Sequence, residues 1–211
     1  AGHAFFQHAS NAAHGAAGAR EVESWFTFSG VPQDNYRLDP ARGGCALYDV
    51  GCYAIGAAQI ALGDELRVTT AEASFGTGGV DLTTSAVIES DLGTARITAS
   101  FERAESQGCL VPPPGLSVEV PHPAFTSWRE PSELVVDDAG ERRVEQFVAC
   151  DAYQLMIEAV SVAMPSSAIM PTHTAMEVLN PIAYMSQMEP MAAKGTESIT
   201  ISDSATRRKL R

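Results

Sequence analysis

Apolar residues recur at three- and four-residue intervals at Leu47, Val50, Ala54, Ala58 and Ala61, a spacing that predicts a helix with one inward side. Gly43 and Gly44 follow a turn at Pro40 and lead into it, and Gly63-Asp64 stops it. Ahead of the helix, Val22, Ser24, Phe26 and Phe28 share one side of an alternating stretch, Arg20 to Phe28, which predicts a strand; 30–42, punctuated by Pro32 and Pro40, reads as loop. From Glu65 to Ala149 the period is two, with strands predicted at 65–75, 80–90, 93–102, 115–121, 132–137 and 141–149. Val80, Leu82, Ala86 and Ile88 face one way, matched by Ala95, Ile97, Ala99 and Phe101 after the Asp91-Leu92-Gly93 turn. Thr83, Ser85, Arg96, Thr98 and Ser100 face the other way. A second tight turn is expected at Asp137-Asp138-Ala139-Gly140. Strands joined this closely imply antiparallel pairing.

Residues 4–17, rich in alanine and ending at Gly15 and Gly18, read as a short helix, and helical spacing appears at 151–163 and at 172–188, where Pro181 interrupts it; the end, Arg-Arg-Lys-Leu-Arg, reads as a solvated tail. The fold class expected is α+β: an open, mainly antiparallel sheet with helices packed on one face. The organisation expected is a helical segment over 1–19, one domain over 20–189 and a tail over 190–211.

Composition narrows the function. The 211 residues are 45% hydrophobic and 19% charged, enough for a substantial single core. Fourteen basic against 26 acidic residues give a formal charge of −12, which argues against a nucleic-acid partner. No run reads as membrane-spanning and the beginning lacks a signal-peptide pattern, so a cytoplasmic setting without membrane contact is expected. The four cysteines (Cys45, Cys52, Cys109, Cys150) form no Cys-x-x-Cys pair. Cys45, Asp49 and Cys52 could share a helix face, but the five histidines have no zinc-like spacing, so buried thiols are expected in place of a metal site.

The candidate chemistry lies at the start of the organising helix. Asp49 and Tyr53, four residues apart, stack on one face, and Arg37 lies in the loop leading in. From the residues alone, Arg37 could equally tie the loop to Asp34 or Asp39, Asp49 could bond Arg37 or nearby amides, and Tyr53 could be a packing phenol.

The string Asn35-x-Arg37-Leu38-Asp39-Pro40-x-x-Gly43-Gly44-x-Ala46-Leu47-x-Asp49-Val50-Gly51-x-Tyr53 resembles the opening of the C-terminal domain of the glucose–fructose oxidoreductase/inositol dehydrogenase/MocA family, nearest its sugar and dihydrodiol dehydrogenases. The likeness runs more loosely from Gly15 to Gln187 and departs at Cys45, where the family usually has a third glycine. The resemblance implies the substrate and oligomerisation domain of an enzyme acting on a CH–OH group of a sugar, polyol or dihydrodiol, with NAD or NADP carried by a separate Rossmann domain. Tyr53 falls at the family's acid/base position, Asp49 at that of a substrate-orienting carboxylate, and Arg37 borders the substrate. It also implies a homodimer through the open sheet face.

Two of the family's features are missing. The only lysines, Lys194 and Lys209, precede Gly195 and Leu210, so there is no Glu-Lys-Pro lysine to tune a phenol whose ordinary pKa is near ~10. There is no Gly-x-Gly-x-x-Gly; Gly76-x-Gly78-Gly79 reads as a turn between strands. The chain alone is therefore expected to bind no dinucleotide and to be inactive. The alternative class is a non-catalytic binding or scaffold protein that kept the fold and lost the chemistry.

Overall fold

In β1 (Arg20–Thr27), Val22 and Ser24 are buried while Glu21 and Glu23 are exposed, as a half-buried strand requires. The computed structural model describes residues 20–112, 116–126, 130–151, 154, 157 and 158. The other strands are β2 (Arg67–Phe75), β3 (Asp81–Ser90), β4 (Gly93–Ser100), β5 (Ser106–Val111), β6 (Leu116–Val120), β7 (Ser132–Asp138) and β8 (Glu141–Phe147). All eight join one sheet in the order β2-β3-β4-β1-β5-β6-β7-β8. Every pairing is antiparallel except that of β1 with β4, whose crossover consists of the loop, the helix and the β2–β3 hairpin. That register starts at Arg20 opposite Gly93, and a Cβ on Gly93 would lie 2.0 Å from the Arg20 carbonyl oxygen. Glycine is what lets the two strands meet there.

The helix α1 (Cys52–Leu62) is entered through a wider, π-helical turn over Leu47–Gly51 and lies across β1, β4 and β5. It is the only α-helix assigned a span among the described residues. Small residues face each other here: a Cβ on Gly51 would come within 3.3 Å of Ala99 on β4, so helix and sheet approach closely. Ile55 and Leu62 are fully enclosed against Ile88 and Ile97, contributing roughly 2 kcal/mol each by burial. Within Pro40–Leu62 an 18-residue window has a mean hydropathy of 1.4, which by length and composition alone would pass for a membrane span. That window is 61% buried in the protein's own core, as the core helix of a globular domain is.

The register confirms the two faces of the central hairpin. Ala86 pairs with Ile97 and Ile88 with Ala95 toward α1, while Thr83 pairs with Ser100 and Ser85 with Thr98 on the far face. One strand escaped the pattern. In Ser106–Val111, Gln107 is a buried polar residue and Gly108 carries no side chain, so the alternation is erased. Trp25 lies over Gly108, where a Cβ would stand 2.4 Å from the indole ring. The loop over 30–42 contains 3-10 turns at Tyr36–Leu38 and Pro40–Arg42. The helical expectations for 4–17 and 172–188 and the tail lie outside the described residues; that for 151–163 meets them only at Asp151, Gln154, Ile157 and Glu158.

Candidate active site

The loop that carries Arg37 is built by short caps. The Asn35 side chain accepts the Arg37 N–H at 3.0 Å, and Asp39 accepts the Ala41 N–H at 2.9 Å. Gly43 then takes a left-handed conformation, φ 76°. At Gly44 an added Cβ would lie 2.5 Å from the Arg37 carbonyl oxygen and 2.6 Å from that of Tyr36. The loop backbone therefore rests directly on this glycine, which brings Arg37 to the mouth of the helix.

There Arg37 Nε donates to Asp49 Oδ2 at 2.6 Å, the two side chains being 30% and 19% exposed. A charge-assisted bond in such a half-buried place contributes on the order of 1.5–3 kcal/mol. The guanidinium stands 4.8 Å from the Tyr36 ring centroid and 5.9 Å from that of Phe28, a stacking that fixes its plane. The bond to Asp49 raises the Arg37 pKa above its ordinary value, burial opposes the rise, and the nearby Asp49, Tyr36 and Tyr53 add to it. Of the partners open to Arg37 and Asp49 from sequence, the structure joins these two to each other.

Tyr53 lies beyond the wide turn, which ends at Gly51, between it and Asp49. Its ring is 5.5 Å from Phe26 and 5.8 Å from Phe125, and these two phenylalanines stack at 5.9 Å. Phe125 is held by a buried glutamine on β5: Gln107 Oε1 accepts the Phe125 N–H at 2.9 Å, and Gln107 Nε2 donates to Thr126 Oγ1 at 3.1 Å. Tyr53 keeps part of its surface exposed, and its neighbours are aromatic. Phe26 was visible only as a strand residue. Phe125 and Gln107 gave no local signal, because they reach the site through folding of β5 and the loop after β6.

The helix entrance already holds an anion of the protein's own. Asp81 Oδ1 accepts the Ala46 N–H at 3.1 Å and Oδ2 the Leu47 N–H at 3.0 Å. A dinucleotide pyrophosphate needs such free amides, and these are engaged. The Gly76–Gly79 segment is a turn between β2 and β3, with Gly79 N–H bonded to the Gly76 carbonyl at 2.9 Å. Neither the helix entrance nor this turn is built as a pyrophosphate cradle. Nor, among the described residues, does any group of three His, Cys, Asp or Glu side chains stand ready for a metal ion. Burial, helped by a bond to Asp81, pushes the Cys45 thiol up to about 12, and burial alone does the same for Cys109. Burial also raises Cys52. Such thiols stay protonated at neutral pH, which makes them poor nucleophiles.

The fold defines the class first: an α+β domain whose described residues form an eight-stranded sheet crossed by the helix α1, with an arginine–carboxylate pair and a tyrosine at the entrance of that helix. Residues 13–120, more than half of the chain, match the family model of the GFO/IDH/MocA C-terminal domain, and the chain belongs to that family. It is 35% identical over 133 residues to D-xylose 1-dehydrogenase (NADP(+)) 2 of Haloferax volcanii, covering 62% of this chain and 41% of that one. Among solved structures it resembles the 3-ketoreductase KijD10 of Actinomadura kijaniata in complex with NADP and TDP-benzene, at TM-score 0.77 and 21% identity over 88% of this chain and 58% of that one. It also resembles the aldose-aldose oxidoreductase of Caulobacter crescentus complexed with glycerol, at TM-score 0.71 and 16% identity, over 93% and 60%. The chain therefore spans only about two-fifths to three-fifths of these proteins' lengths.

Proposed function

We propose that this chain is the substrate-binding and oligomerisation domain of an NAD(P)-dependent oxidoreductase that acts on a CH–OH group of a sugar, polyol or dihydrodiol. The observation that carries the reading is the Arg37–Asp49 bond of 2.6 Å beside Tyr53, at the positions where the family motif has its substrate-facing groups. Asp49, with Oδ2 held by Arg37 and Oδ1 accepting only a long 3.5 Å bond from the Tyr36 hydroxyl, presents Oδ1 to a substrate hydroxyl. The Tyr53 phenol is the group that holds or releases the hydroxyl proton, with Arg37 as a nearby cation. The sugar class draws support from the D-xylose dehydrogenase relative and the aldose-aldose oxidoreductase likeness.

In this reading hydride acceptance belongs to a nicotinamide held by a separate nucleotide-binding domain, a reading supported by the engagement of the Ala46 and Leu47 amides with Asp81. Calorimetric titration of the 211-residue chain with NADH and NADPH is expected to give no binding tighter than about a millimolar dissociation constant, ~4 kcal/mol. A tighter isotherm would reveal a nucleotide site on this chain. Joined to a nucleotide-binding domain of the family, the chain is expected to reduce NAD or NADP with an aldose or polyol. There Asp49→Asn is expected to raise KM and lower kcat together, since the amide weakens both the Arg37 bond and the contact to substrate. Kinetics identical to the parent would remove Asp49 from the site.

The open sheet face is the self-association surface in this reading. Thr83 and Ser100 hydroxyls bond at 2.6 Å, those of Ser85 and Thr98 lie 3.3 Å apart, and Thr83 also donates to Glu102 at 3.2 Å, giving a polar, hydroxyl-rich face with a charged edge. Sedimentation at tens of micromolar, a working range for a stable interface of roughly 8 kcal/mol or more, is expected to show a dimer. A monomer throughout that range would reject this surface.

A further inference from the structure

The helix that carries the site has no cap of its own. Ala46, which precedes the wide turn, provides no side-chain oxygen. The cap comes from Asp81, the first residue of β3, and its two amide partners lie 34 and 35 residues earlier in the chain. The Asp81 side chain also accepts the Thr84 hydroxyl at 2.7 Å, in a residue only 7% exposed. A carboxylate here answers both the orphan amides and the positive end of the helix dipole. Removing it would strand several buried donors.

The last residue of β3 holds the other end of the helix: Ser90 Oγ donates to the Leu62 carbonyl at 2.9 Å. A ten-residue strand, on the order of 30 Å long, thus grips both ends of a helical segment of about 24 Å. Leu47, one of the two residues fixed by Asp81, opens the π-helical turn, and Asp49 lies two residues further on. Turns of this kind are rare within helices and are frequent at functional sites.

We infer that Asp81 is the positioning residue of this site: by fixing the amides of Ala46 and Leu47 it sets the wide turn, and with it the direction of Asp49 toward Arg37 and of Tyr53 toward Phe125. The inference rests on the active-site reading above, but its main test needs no activity. The Arg37 Nε–H, donated to Asp49, gives a nuclear magnetic resonance signal of its own, and its exchange with water reports the bond.

In Asp81→Ala the exchange of this proton and of the backbone amides over 46–53 is expected to quicken by at least about tenfold, with the β4–β7 amides unchanged. Ser90→Ala, which frees only the far end of the helix, is expected to leave the Arg37 signal as in the parent. Asp81→Asn, which keeps the volume and one acceptor oxygen, is expected to fall between. An intact sheet with parental Arg37 protection in Asp81→Ala would overturn the inference. So would loss of the whole sheet in both Asp81 variants, which would make Asp81 a determinant of the fold instead of the site.

In a chain that also carries a nucleotide-binding domain, Asp81→Asn is expected to lower kcat by about tenfold or more with little change in KM. Tyr53→Phe is measured beside it. If Tyr53→Phe is without effect, the active-site reading fails while the exchange result still decides the role of Asp81 in the turn. If Tyr53→Phe is impaired and Asp81→Asn keeps its kcat, the positioning inference fails.

Discussion

Replacing Tyr53 by phenylalanine is expected to lower turnover by roughly a hundredfold or more when the chain works with a nucleotide-binding domain. The substitution removes one oxygen and leaves the ring, so the packing on Phe26 and Phe125 at 5.5 and 5.8 Å is kept. Folding and KM are therefore expected to change little, and the loss should fall on kcat. A phenol with an ordinary pKa near ~10 is a weak base at neutral pH unless a cation stabilises its anion. Arg37 is within electrostatic reach of Tyr53, which is among the groups that raise the arginine's own pKa. Steady-state rates of nicotinamide reduction with a panel of aldoses and polyols provide the measurement. A variant that turns over at the parental rate would assign Tyr53 to packing alone.

Gly44→Ala is expected to destabilise the protein by about 1–3 kcal/mol and to pull Arg37 away from Asp49. The new methyl would lie 2.5 Å from one backbone carbonyl oxygen and 2.6 Å from another, and backbone cannot swing aside as a side-chain tip can. Either the loop over Tyr36–Leu38 lifts or the helix entrance shifts, and both lengthen the 2.6 Å bond. Gly56→Ala serves as the control. It lies within α1 with nothing in the way of a Cβ, so it is expected to raise stability by roughly 0.5–1 kcal/mol, as alanine does in a helix interior. Thermal denaturation of the two variants is the check. Equal melting temperatures for Gly44→Ala and the parent would mean that the loop yields freely and does not rest on Gly44.

These two sites show what was legible beforehand. The long motif from Asn35 to Tyr53 singled out Arg37, Asp49 and Tyr53, because a loop, two glycines and the first turns of a helix are contiguous in sequence. It could not settle which carboxylate Arg37 would meet, since Asp34, Asp39 and Asp49 were all near in the chain. Gly44 decides between them by letting the loop lie flat on the helix entrance. The plain helical reading also hid the π-helical turn at Leu47–Gly51. An i to i+4 spacing looks the same whether or not one turn is widened.

The sequence by itself determined the central helix, seven of the eight strands, the two faces of the β3–β4 hairpin and the motif that marks the family. All of these rest on periodicity or on contacts between residues close in the chain. Tertiary structure alone decided three things: that β1 pairs parallel with β4, that Gln107 fixes Phe125 beside Tyr53, and that Asp81 caps a helix 34 and 35 residues behind it. In each case the partners are far apart in sequence, and a lone buried Gln or Asp carries no periodic signal. Only when the sheet closes around the helix do their hydrogen-bond needs select their partners.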